Sequence, residues 1–173
     1  KEFETLCLNR KERGARMREG IEIVERILNE DNVTVDGKFT QVKNATLCPK
    51  PIQNPLPIWI GARGPRAIKF AAEHGYHLMA TLGPDPVPLY QETLVASGRD
   101  PALFKVAQLR MTYCAASDDQ AWEESQEHLF HILEFYQGVL SEAADIEGDD
   151  QILTVAKPED LRDSPVAEHL LIG

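Results

Sequence analysis

The sequence is short of cysteine, of positive charge and of long apolar runs, and each shortage closes off a class of function. Its three cysteines, Cys7, Cys48 and Cys114, are odd in number and far apart. That spacing fits neither a disulfide framework nor a thiolate metal cage. Each reads as a small, partly buried hydrophobe in a reducing compartment, so the expected location is cytoplasmic. No histidine stands where it could activate one of them as a nucleophile. Cations are outnumbered, with 18 Lys and Arg against 28 Asp and Glu and a formal net charge of −10. The acid is concentrated late: Asp118 to Asp163 holds 14 acidic residues against two basic ones. Such a surface repels a phosphate backbone, which argues against general nucleic-acid binding. No apolar run approaches the roughly 18 residues of a membrane helix, so no membrane partner is expected.

What is present reads as a single domain over residues 1–173. Met17, Ile21, Val24, Ile27 and Leu28 recur at helical spacing and predict a helix from about Arg10 to Leu28. A small hairpin follows, Val33–Val35 and Phe39–Val42, turning at Asp36-Gly37. Cys48 to Pro57 carries four prolines in close succession, which exclude helix and central strand and leave an extended connector. Beyond it the patterning alternates. A strand at Ile58–Ile60, a helix from Pro65 to His74, a strand at Tyr76–Thr81 and a helix from Val87 to Ala96 come first. A strand at Lys105–Ala115 and a long helix from Gln120 to Ala143, capped by Asp118-Asp119, come next. Ile152–Val155 reads as weakly extended, and Pro158 to Leu161 as a short helix. Such alternation means parallel strands and an α/β fold. It fits either an open doubly wound sheet or part of a barrel. Both ends read as cut: Lys1 leads straight into charged helix, and Leu170-Leu171-Ile172-Gly173 closes on an apolar run. Flanking sequence is therefore expected.

The most specific segment runs from Pro57 to Gly75. A strand ends in Gly61-Ala62-Arg63-Gly64, and Pro65 opens a helix at once. The first amides of a helix have no partner within it and carry partial positive charge. Glycines allow close approach, and Arg63 and Arg66 add full charges. A phosphate monoester suits such a corner. A tight strand-to-helix turn without a ligand explains the same residues, and Gly-x-x-Gly alone does not decide between the two.

Taken in order, several segments resemble bacterial luciferase-like monooxygenases. They are Glu12-Arg13-Gly14-Ala15-Arg16, Gly37-Lys38-Phe39, Pro49-Lys50-Pro51-Ile52-Gln53, Pro57 to Ala62, Ala71 to Gly75, Ser97 to Pro101 and Leu171-Ile172-Gly173. The resemblance covers nearly the whole chain from about Leu8. It implies a (β/α)8 TIM barrel of which this chain holds the middle and late strands, with a small β-hairpin insertion, and from which the first strands and the last one are absent. It implies a flavin-dependent monooxygenase that oxidises a small organic substrate with reduced FMN and oxygen, or a deazaflavin-dependent oxidoreductase that transfers hydride. It implies a cofactor phosphate at Gly61, Ala62, Arg63 and Gly64. Arg63 departs from the small residue many members carry there. A separate flavin reductase and a second copy of the chain are the expected partners. The residues that would shape the ring pocket fall mostly outside the chain, so no catalytic residue is assigned.

Other residues have bland readings beside the functional ones. Thr81 closes a strand at the expected barrel mouth, where it would line a substrate pocket or bond nearby backbone. His128 and His131 share a helix face, but H-E-x-x-H is absent and no other helix offers a matching pair, so no metal is expected. Gly61 to Gly64 also mimics the GXXG loop of a KH nucleic-acid module, but that loop lies between two helices and the chain is acidic. His77 reads as packed or solvent-facing in preference to a general base. Trp59 and Phe70 read as core.

Overall fold

The computed structural model describes residues 2–80, 85–141 and 155–173. The chain divides into two compact units, Lys1–Leu56 and Pro57–Gly173.

In the first unit a single turn, α1 (Glu2–Thr5), precedes a 3-10 turn, Arg10–Glu12, that runs directly into α2 (Arg13–Asn29). β1 (Val33–Asp36) and β2 (Gln41–Ala45) pair antiparallel. The hairpin is where its apolar pattern places it, but its turn is not a two-residue Asp-Gly turn. Gly37 N–H donates to the Thr40 carbonyl at 3.1 Å, and Phe39 falls in the turn. The reason lies on α2: the Glu19 carboxylate accepts from the Phe39 and Thr40 N–H groups at 2.9 and 2.7 Å. A Cβ at Gly37 would stand 2.6 Å from the same carboxylate. The proline-rich stretch is without helix or strand. Lys50 folds back from it to hold the end of α2, donating to the Ile27 carbonyl at 2.9 Å and pairing with Asp31 at 3.2 Å. A cation over the last carbonyls of a helix offsets the negative end of its dipole.

The second unit alternates strand and helix. β3 (Trp59–Gly61) leads to α3 (Pro65–His74), β4 (His77–Ala80) and α4 (Val87–Ala96). A 3-10 turn at Pro101–Leu103 leads to β5 (Val106–Gln108) and β6 (Met111–Tyr113). Then come α5 (Asp118–Ser141), 3-10 turns at Pro158–Asp160 and Pro165–His169, and β7 (Leu170–Ile172). All the strand pairs of this unit are parallel: β3 with β4, β4 with β5, and β6 with β7. The result is an open α/β wall, with no closed barrel among the described residues.

Several expectations need correction. The single strand expected over Lys105–Ala115 is two. β5 gives its edge to β4, and β6 gives its opposite part to β7, with the break at Leu109-Arg110. β7 itself lies in the terminal apolar run that carried no strand periodicity. α5 starts at Asp118, because Ser117 caps it; the Ser117 hydroxyl accepts from Gln120 N–H at 3.3 Å. All three cysteines are exposed. Trp59 is 38% exposed and lies outside the core. The acidic loop at 145–150 and most of the Ile152–Val155 segment lie outside the described residues.

Burial explains the alternation. Ile60, Leu78 and Ala80 are buried on the side of the sheet that carries α3, while Trp59 and Met79 on the opposite side stay open. A second cluster joins α5 to β7: Trp122, Leu129, Leu133, Leu161, Val166 and Leu170 close on one another, with Met111 and Ile172 against them.

Candidate functional site

Gly61 ends β3 beside Met79 of β4, so the turn after it stands at the carboxyl end of parallel strands. In open and closed α/β sheets alike, that end is where ligands bind. Ala62 continues the sheet by one bond, its N–H donating to the Met79 carbonyl at 3.0 Å, and its side chain is buried. Its amide is therefore committed to the sheet. Gly64 is the N-cap of α3 in extended conformation, φ −86° and ψ 155°. Its carbonyl accepts from the Ala67 and Ile68 N–H groups at 3.1 Å each. With Pro65 in the first helical position, the chain enters α3 in one step. Gly61 is exposed, and a Cβ built on it would meet nothing within 4 Å. Arg63 is partly buried and Arg66 exposed. The structure thus brings Gly61, Ala62, Arg63 and Gly64 together as one corner. Thr81 lies outside the described residues.

His77 is kept apart from this corner. It starts β4, opposite Trp59 and at the amino end of the strands. Its ring packs 4.7 Å from Trp59 and 6.0 Å from Phe104, and its Nδ1 accepts the Lys105 backbone N–H at 3.1 Å. Burial, and then the Lys105 charge, push its pKa below the ordinary value of 6.5. A neutral, packed histidine at the wrong end of the sheet tethers strands. His128 and His131 are exposed on α5, and His131 leans toward Glu134 at 3.7 Å. Among the described residues no three metal-binding side chains cluster.

One polar arrangement escaped the sequence. Asp85, one residue before the Pro86 cap of α4, accepts Val87 N–H at 3.0 Å and also accepts from Gln108 Nε2 at 3.4 Å. Gln108 Oε1 accepts from Arg110 Nη2 at 3.0 Å, and Arg110 Nη1 stands 3.0 Å from His169 Nδ1. A guanidinium only donates, so His169 Nδ1 is the acceptor in this contact. This chain crosses the break between β5 and β6. Arg110 and His169 are 59 residues apart. No local spacing could have signalled it.

Comparison with known proteins gives a consistent picture. A family profile described as luciferase-like monooxygenase matches residues 1–167. An F420-dependent glucose-6-phosphate dehydrogenase of Kineococcus radiotolerans is 34% identical over 90 residues, which is 52% of this chain and 26% of that protein. The monooxygenase RslO1 of Streptomyces bottropensis superposes on 99% of this chain and 50% of its own, with TM-score 0.69 and 23% identity. The FMN-bound oxygenating component of 3,6-diketocamphane monooxygenase from Pseudomonas putida covers 92% of this chain and 49% of its own, with TM-score 0.64 and 17% identity. At these identities the structural likenesses speak for the fold. The chain spans about half the length of those solved structures.

Proposed function

We propose, from the premise that the chain belongs to the luciferase-like monooxygenase family, that its Gly61–Gly64 corner holds the phosphate of a flavin-type cofactor in an oxidoreductase. The observation that carries this is the geometry of the corner: a strand end, an extended Gly64 cap, Pro65 at the first helical position and an unobstructed Gly61. The residues fit an anionic group. A helix start is a favourable place for an anion, because the dipole of α3 adds partial positive charge there. Arg63 and Arg66 bring full positive charge to a molecule that is otherwise acidic. Ala62 serves from below, since its amide anchors the turn to β4. Thr81, the residue after β4, would line the neighbouring substrate pocket.

Bound there, reduced FMN would supply reaction with oxygen and oxidation of a small organic substrate; a deazaflavin would supply hydride transfer. The chain's own part is to bind, orient and exclude water. FMN is the first reading. The deazaflavin reading has a specific support, because relatives at 30–36% identity over part of the chain are named F420-dependent glucose-6-phosphate dehydrogenases. A separate flavin reductase would accompany the first reading and not the second.

Titration decides both points. FMN and F420 are added to the protein expressed from the full reading frame that encodes this chain, and binding is followed by fluorescence. One cofactor should bind clearly more tightly. Gly64→Val should weaken that cofactor by tenfold or more, about 1.4 kcal/mol. The φ and ψ of Gly64 suit a valine, so the exchange brings no backbone strain, and unchanged far-UV circular dichroism would show that the loss comes from blocked approach. Unchanged affinity in Gly64→Val would remove the corner from the site.

A further inference from the structure

We propose that the Arg110–His169 contact is a pH-sensitive clasp at the carboxyl end of the parallel strands, closed while His169 is neutral and opened when its ring takes up a proton. The clasp stands whether or not the Gly61–Gly64 corner holds a cofactor.

Register defines where it sits. Gly61, Met79 and Ala107 stand side by side, so Gln108 and the break after it lie at the carboxyl end of β3, β4 and β5, level with the candidate corner. β6 continues from the break and pairs with β7, and Arg110 and His169 are the residues just before that pair. One guanidinium thus stands where the chain leaves one neighbour for the next, and it bridges both sides. Arg110 Nη2 donates to Gln108 Oε1 and Nη1 to His169 Nδ1, at 3.0 Å each. With its oxygen taken, the Gln108 amide turns its nitrogen to Asp85, 3.4 Å away in the connection from β4 to α4. Arg110 and His169 are both partly buried, so water competes less for their contact.

Every link but one has a fixed sense. A guanidinium only donates, a carboxylate only accepts, and glutamine does one at each end. His169 is the exception. A neutral imidazole can offer Nδ1 as an acceptor. An imidazolium carries hydrogen on both nitrogens and sets a second positive charge against the guanidinium. Histidine is also the side chain whose charge changes between about pH 5 and 8. The link is therefore made on the alkaline side of that range and lost on the acid side.

The surroundings leave Arg110 in control. Among the described residues it is the one charged group bonded to His169. Glu168, next in the chain, is exposed, as are Asp160 and Asp163 in the turns before β7, and Glu159 faces Lys157 at 4.0 Å. On α5, which packs against β7, Asp119 is paired with Arg162 at 2.7 Å. Glu124 accepts from Tyr113 and Gln120 at 2.7 Å each, and Asp118 lies toward Gly173. Opening would release Arg110 from the β7 side and, through Gln108, loosen the hold on Asp85 at the entry to α4.

Residue-resolved hydrogen exchange tests this on the protein expressed from the full reading frame, at about pH 7.5 and about pH 5.5, after correction for intrinsic rates. The reporters are Leu109 N–H, which donates to the Ala80 carbonyl at 2.9 Å, and Val87 N–H, which donates to Asp85 at 3.0 Å. Their protection should fall by about tenfold at the lower pH, while Ile68 N–H in α3 keeps its own. His169→Gln keeps an acceptor that does not titrate, so protection should stay high at both pH values. His169→Lys can only donate, so protection should be low at both. His77→Gln should leave the response intact. Equal protection at the two pH values in the parent protein would overturn the proposal, and so would a fall that persists in His169→Gln. Where a variant loses its far-UV circular dichroism, nitrogen-15 resonances of the parent decide: Arg110 side-chain signals that follow the His169 titration support the clasp, and signals indifferent to it overturn it.

Discussion

Gly75 closes α3 in the left-handed region, with φ 75° and ψ 33°, and its N–H returns to the Ala71 and Ala72 carbonyls. Residues with a Cβ pay for that conformation. A Cβ there would also crowd Arg99 Nε at 2.8 Å, although that side chain can swing aside. Gly75→Ala should therefore cost roughly 1–2 kcal/mol, dominated by the backbone. Urea denaturation monitored by circular dichroism measures it. His77 makes a second residue-scale case. Its folded pKa lies below 6.5, chiefly through burial and then through the Lys105 charge. The unfolded chain therefore takes up a proton first on acidification. The stabilisation is complete above about pH 6.5 and is lost as the pH falls below it. Thermal melts from pH 7.5 to 5.5 should show a decline that His77→Gln reduces, since glutamine keeps an acceptor but does not titrate.

At the scale of elements, legibility followed the strength of the local signal. α3 could be placed to the residue because Pro65 and Gly75 punctuate it. α4 was equally plain. The Lys105–Ala115 stretch has continuous strand character, so nothing local announced that it changes partner at Leu109-Arg110. β7 is three apolar residues long, too short to show a period. The Gly61–Gly64 corner was legible as a turn, but the commitment of the Ala62 amide to Met79 was not, because it depends on the neighbouring strand. The chain Asp85, Gln108, Arg110 and His169 is tertiary throughout. α5 shows how far apolar content can mislead. Leu133 is fully buried, whereas Phe135 on the same helix is 67% exposed. Leu133→Ala should destabilise by about 3 kcal/mol through transfer and cavity costs. Phe135→Ala should stay within about 0.5 kcal/mol. Paired denaturation curves would test the contrast.

For the whole molecule, charge sets the conditions of handling. A net charge of −10 at neutral pH keeps copies apart electrostatically, and the isoelectric point is near 4.9. As the pH approaches that value the repulsion disappears while the bare apolar strand face remains. Light scattering should rise steeply between about pH 6 and pH 5, a window set by the protonation of Asp and Glu. Added salt at pH 7.5 should have a smaller effect in the same direction, by screening. A flat scattering profile across that range would show that charge is not what limits association.

The change of partner along residues 106–113 also bears on how such a chain can diverge. Its first run is registered against one neighbour and its second against another. Inserting or deleting a single residue at Leu109-Arg110 would turn every side chain of one run to the opposite side while leaving the other untouched. The link should therefore tolerate exchange of residue type far better than any change of length.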